Sequence, residues 1–227
     1  MDTARQAARQ GAAAGTVIIA GEQTRGRGRL KRTWFSPRGN IALSIVLYPD
    51  IPSLPYLIMI ASLAVVHAID AVTGIKTQIK WPNDVLINGR KVCGILVENE
   101  MRGKKVAFSI VGTGINTNLN VAAHPEIAPT AASLKNPTEK DLRIKIIRSL
   151  LTEFERLYLK LPQGRSIFKA WCSRLVTLGK KVRATTGTQI IEGLADSVDE
   201  SGTLSIRRPD GTLVKVVVGD VTLRENG

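Results

Sequence analysis

The chain has 227 residues, 44% of them hydrophobic, enough to bury a sizeable core in one large or two modest domains. Its 32 Lys+Arg against 19 Asp+Glu leave a net charge of +13, which points to an anionic partner: nucleotide, nucleic acid or acidic protein. Cys93 and Cys172 lie in different elements without CxxC spacing and read as buried thiols of a reducing cytosol, and with only His67 and His124 a histidine metal cluster is excluded.

Residues 1–15 lack the apolar core of a secretory signal and instead predict a helix from Asp2, as cap, to about Ala14. TVIIA (16–20) reads as a short buried-type strand, and NIALSIVL (40–47) as a second strand. Between them lies a loop dense in glycine and arginine. A hydrophobic helix follows from about Leu54 to Val72, apolar on nearly every side and therefore expected against a sheet, with His67 packed in its core. Its longest apolar run, Leu57 to Val66, is about half of the ~20 residues that span a bilayer, so a cytoplasmic protein is expected.

Ile75 to Lys80 is a strand, closed by Trp81-Pro82. Val85 to Ile87 and Lys91 to Val97 form a hairpin around Asn88-Gly89, the pair that tolerates φ > 0 in a type I′ turn. A second hairpin turns at Arg102-Gly103, and its return strand meets GTGINTN (112–118). Thr138 and Asp141 resemble a capping box for a helix running to about Leu161, where Pro162 stops it; a shorter helix covers 166–175. Beyond Leu178 only short β runs with turn punctuation remain, which predicts a small barrel similar to an SH3 fold.

Three stretches carry chemistry. The first hairpin holds Lys80, Asn83, Asp84 and Lys91 near one another beside Gly94, a set that suits an anion with a metal ion; it also reads as an ordinary hairpin with solvated charges. In GRGRLKR (26–32), glycines let backbone N–H groups approach an anion while guanidinium forks bind it, in a ligand phosphate or a nucleic acid, or as a solvated basic loop. In GTGIN (112–116) Asn116 could meet a base edge, though by itself the segment reads as a turn.

Together, QTRGRGRLKRTWFSPRGN, KWPNDVLINGRKVCGILVE, VGTGINTN and the β-rich tail resemble a biotin protein ligase of the class without an N-terminal DNA-binding domain. The resemblance implies an α+β fold: a mixed-sheet catalytic domain of the class II synthetase-like, biotin–lipoate ligase type at 1–176, with helices packed on the sheet, and an SH3-like barrel at 177–227. It implies ATP, biotin and Mg²⁺, with biotinyl-5′-AMP as intermediate and a carboxyl carrier domain of a biotin-dependent carboxylase as acceptor. Carried over residue by residue, Gln23, Arg27, Gly28, Arg29, Lys91, Gly94 and Ile95 bind biotin. Arg29, Arg32, Lys80, Asn83, Asn116 and Trp34 face the nucleotide. Lys91, Arg29 and Asp84 are catalytic, with Asp84 also the magnesium ligand.

The family's strand edges often pair, so a homodimer is compatible. Leu30 and Lys31 depart from the usual Arg-Gly of the basic loop, and the repelling charges of 25–32 predict a loop that orders over an anion. The strand and Ser-Thr pair that the family carries before the segment matching Met1-Asp2 are missing, which is read as a start upstream of Met1. The competing readings are a lipoate-type ligase, an inactive scaffold, and a nucleic-acid module, the last disfavoured by 4% aromatic content.

Overall fold

The computed structural model describes residues 1–134 and 141–223. Pro137 and Thr138, and hence the expected capping box, lie outside the described residues, as does the side chain of Lys31. Two antiparallel sheets organise the chain. The larger has six strands in the order β1-β2-β6-β5-β4-β3: β1 (Val17–Ala20), β2 (Ile41–Leu47), β3 (Gln78–Lys80), β4 (Asp84–Ile87), β5 (Arg90–Arg102) and β6 (Lys105–Ile115). Its parallel character is confined to isolated bridges, Ile79 with Leu175 and Lys91 with Ala131, so the expected mixed sheet is an antiparallel ladder with parallel fringes.

Helix α2 (Leu54–Thr73) covers one face of this sheet. Eleven of its residues are buried, and Gly74 ends it in the left-handed conformation that glycine adopts without a Cβ penalty. The helix is apolar enough to cross a membrane by length and composition, but its apolar surface is spent on the core with Ile41, Ile45, Ile79, Val85 and Ile95. His67 is only half-buried, and its Nδ1 lies 3.0 Å from Glu153 of α3 (Leu142–Tyr158) instead of in the core. Helices α3 and α4 (Gly164–Cys172) pack on α2 from outside.

Helix α1 (Asp2–Arg9) covers the opposite face, seating Ala4 and Ala8 on Val46, Phe108 and Ile110. It is shorter than the composition predicts. Gly11, at φ 85°, lets Ala12 N–H reach back to Ala7 O (3.0 Å), a helix-ending motif that overrides the alanines beyond it. Met1, not Asp2, occupies the cap position, and Asp2 lies in the first turn. Strand β1 is an edge strand paired only with β2, and Ile19 is exposed; the expected burial fails because the apolar run sits at the sheet margin. The smaller sheet, β10-β9-β8-β7-β11, comprises β7 (Lys181–Thr186), β8 (Gln189–Val198), β9 (Leu204–Arg207), β10 (Leu213–Val216) and β11 (Asp220–Leu223). It is tied to the larger unit through Trp81, whose indole nitrogen donates to Gly202 O at 2.8 Å and whose backbone N–H donates to Thr177 Oγ1 at 2.9 Å.

Candidate active site

The site is built on a glycine floor. In β6, Gly112 stands opposite Ser44 of β2, and Gly114 stands between Ala42 of β2 and Gly94 of β5. The GTGIN segment is therefore strand, not turn. The glycines of the floor answer a close approach: a Cβ on Gly114 would lie 2.4 Å from Trp34 Nε1, and one on Gly94 would lie 3.2 Å from the same ring and 3.1 Å from Lys91 Cε.

The first hairpin supplies the charges. Asn88 and Gly89 take φ of 48° and 76°, as its turn requires. In the ladder Asp84 pairs with Gly94, Val85 with Cys93, and Leu86 with Lys91, so Val92 is an extra residue. Side chains alternate faces along a strand, and a one-residue bulge reverses that alternation. The bulge thus brings Lys91 onto the face of Gly94, an odd number of residues away. Lys91 Nζ reaches Asp84 Oδ1 at 2.6 Å and lies 5.4 Å from the centre of the Trp34 ring. Lys80 Nζ approaches the same carboxylate at 3.7 Å.

The arginine loop folds over this floor. Bridges Gln23–Ser36 and Arg27–Thr33 make it a narrow ribbon, and Gly26 admits the backbone of Trp34, whose main-chain N–H donates to Gly26 O at 2.9 Å. Leu30 takes the left-handed conformation (φ 52°, ψ 37°) at the tip, a position where glycine would be unstrained. Acidic groups offset the expected repulsion: Arg27 meets Asp2 at 2.6 Å and Glu98 at 3.6 Å, and Arg32 meets Asp220 at 2.5 Å. Arg29 is the most enclosed of these arginines. Its Nη1 donates to Asn83 Oδ1 (3.2 Å) and to Gly219 O (3.1 Å) of the β10–β11 loop. Burial pulls its guanidinium below the usual range; the Asp220 and Asp84 charges oppose that shift, and Arg32 adds to it.

Eleven of the expected residues line one cavity of 130 Å³: Gln23, Arg27, Gly28, Arg29, Arg32, Trp34, Asn83, Asp84, Lys91, Gly94 and Ile95. Lys80 stands behind Asp84, outside the lining. Asn116 lies in an adjoining cavity of 180 Å³, separated from the first by Thr33, Trp34 and Lys91, which line both. Its Nδ2 donates to Ala132 O (3.0 Å), and its Oδ1 is buried without a partner. Sequence reasoning missed Ser44, Thr113 and Asp220 on the wall. Small residues at facing positions of β2 and β6 could have signalled the floor once register was known. Asp220 carries no local signal, being brought in by the second sheet.

Because the Arg32–Asp220 pair is the second sheet's ionic hold on the loop, Asp220→Asn should loosen residues 25–33. Trypsin should cut there roughly 2–5-fold faster, the factor that a partly exposed bridge supports. Global stability should barely move. Equal cleavage of both proteins would show that the β domain does not restrain the loop.

Comparisons with known proteins agree with this arrangement. Residues 3–116 match the Biotin/lipoate A/B protein ligase family, and residues 177–224 match the Biotin protein ligase C terminal domain. The chain is 38% identical over 228 residues to the bifunctional ligase/repressor BirA of Bacillus subtilis, covering 97% of this chain and 70% of the relative. It is 36% identical over 210 residues to the biotin--[acetyl-CoA-carboxylase] ligase of Paracoccus denitrificans, covering 87% and 86%. The solved biotin protein ligase of Aquifex aeolicus in complex with biotin and ATP superposes with a TM-score of 0.74 at 28% identity, over 99% of this chain and 95% of that one. With an arginine loop, a lysine-bearing hairpin and a glycine floor meeting in one cavity, and with these matches along the chain, the protein belongs to the biotin/lipoate protein ligase family.

Proposed function

We propose that the protein is an ATP-dependent biotin protein ligase. It joins the biotin carboxylate to the α-phosphate of ATP with loss of pyrophosphate, then passes biotin to a lysine of a carboxyl carrier domain. The observation that carries this reading is the convergence of Lys91, Arg29 and Arg32 on one enclosed cavity over a glycine floor. Bringing a carboxylate to a triphosphate sets two anions together, and cations in a partly desolvated site offset their repulsion. Lys91 and Arg29 would hold the carboxyl and the α-phosphate, with Arg32, Lys80 and Asn83 along the polyphosphate. Gln23, Arg27, Gly28, Gly94 and Ile95 would bound biotin.

The cavity is smaller than the roughly 300–1,000 Å³ usual for ligand pockets. Trp34, its indole N–H unpartnered, separates it from the Asn116 cavity, and displacement of that ring would join the two. The free Asn116 Oδ1 suits the exocyclic amine of adenine better than the carbonyl of guanine. Magnesium would arrive with the nucleotide. Among the described residues no cluster of three ligating side chains exists, and Asp84 is already paired with two lysines. That donor set fits an ion held mainly by phosphate oxygens, with Asp84 as its protein ligand.

The division into units at 1–176 and 177–227 is part of the same reading, supported by the separate second sheet. A cytoplasmic location belongs to it too, and the unpaired side of β1 is compatible with a homodimer. The match to a biotin-type C-terminal domain favours biotin over lipoate.

The test is incubation with labelled biotin, Mg²⁺-ATP and a carboxyl carrier domain. Label should appear on the carrier, and GTP should support the reaction about tenfold less well, the worth of one buried hydrogen bond. Folded protein that yields neither adenylate nor labelled carrier would overturn the assignment.

A further inference from the structure

A second cavity, of 220 Å³, lies between the larger sheet and the β domain. It shares Arg29, Asn83, Ile95 and Leu96 with the Lys91 cavity, so Arg29 forms the partition between the two. Its other walls are mainly apolar: Leu54, Pro55 and Ile58 from the start of α2, Val97 from β5, and Val217 from the β10–β11 loop. Val217 and Val218 are 71% and 52% exposed, two large apolar side chains presented to water in the loop whose Gly219 carbonyl holds Arg29. On the wall, Trp171 is fully buried and its indole N–H has no partner.

We propose that this inter-sheet cleft is the entry for the acceptor lysine, with Arg29 as its gate. The inference rests on the ligase reading and adds the route of the second substrate. A lysine side chain is a four-carbon apolar stem with a charged tip, and an apolar slot suits the stem. The tip must arrive neutral to act as a nucleophile, and a low-dielectric passage favours the uncharged amine. A cation at the far end, Arg29, repels an ammonium and admits an amine. The gate is also coupled to the first step. Among the described residues Arg29 hydrogen-bonds across the junction to Asn83 and Gly219, both uncharged acceptors. A bound phosphate competes for it with a full charge, draws the guanidinium aside and opens the way once the adenylate is formed. The amine nitrogen then attacks the carboxyl carbon of the mixed anhydride. The C–N bond forms as the C–O bond to the phosphate breaks, the nucleotide monophosphate leaves with the electron pair, and the amine's surplus proton passes to solvent water.

The test blocks the cleft from two loops of the β domain with exposed substitutions, Val217→Trp and, separately, Ser201→Trp. Adenylate formation is followed by biotin-dependent pyrophosphate exchange. Transfer is followed from preformed adenylate to a carrier domain and to n-butylamine, which reproduces the lysine stem. Transfer to both acceptors should fall by about tenfold or more relative to adenylate formation, the scale of a misplaced reactant. Transfer that keeps pace with adenylate formation for both acceptors would overturn the proposal. So would a loss confined to the carrier domain, since the cleft would then be only a contact surface. Absence of adenylate in the unsubstituted protein would sink the ligase reading instead, a separate failure.

Discussion

Lys91→Ala is expected to slow adenylate formation by roughly 10²–10³-fold, the cost of removing a preorganised charge-stabilising group from a water-poor site. The reason lies in the bulge at Val92, which brings the lysine over the floor where, in the proposed reaction, the two anions would meet. The fold should survive. Lys91 is a third exposed, and Asp84 keeps Lys80 at 3.7 Å as a counter-ion, so the substitution leaves no bare buried charge. Pyrophosphate release and a thermal melt on the same preparation separate the two effects. Release at the unsubstituted rate would remove Lys91 from the chemistry, and a collapsed melt would make its role structural.

Gly114→Val is the second large effect. Valine favours strands, so propensity alone predicts a neutral or stabilising change at this position. The structure predicts the reverse, because the new Cβ would fall 2.4 Å from Trp34 Nε1 and 2.6 Å from Cε2. The ring must leave or the strand must shift, at a cost of about 1–3 kcal/mol in stability. Either response also removes the floor over which biotin's fused rings would lie, so biotin affinity should drop by about tenfold or more. Chemical denaturation and calorimetric titration read the two losses independently. Unaltered biotin binding would mean that the floor is packing for Trp34 and no part of the ligand surface.

Much of the site was legible because its chemistry is local. The Asn88-Gly89 pair forces a tight turn whatever surrounds it, and that turn sets Asp84 and Lys91 on adjoining strands. Glycines spaced among arginines in 26–32 suit a loop that approaches an anion, although a solvated basic loop carries the same pattern. The misreadings were of another kind. GTGIN reads as a turn because glycine is common in turns; it is a strand whose Gly114 is required by a tryptophan eighty residues earlier in the chain and whose Gly112 lies against Met1. TVIIA reads as buried because it is apolar, yet its place at the sheet margin is fixed by pairing order. Asn116 and Lys80, expected to face the nucleotide, stand in an adjoining cavity and behind Asp84, outside the lining of the Lys91 cavity.

By itself, then, the amino-acid order determined the α+β class, the helices, the first hairpin and the chemical identity of the basic loop, since each depends on contacts between near neighbours in the chain. Tertiary structure alone decided which face Lys91 points to, that Gly114 lies beneath Trp34, and that Asp220 and the Gly219 carbonyl hold the arginines from the second sheet. The physical reason is that strand register, bulges and inter-sheet contacts are set by the packing of segments up to 190 residues apart, for which no short stretch of sequence carries the pattern.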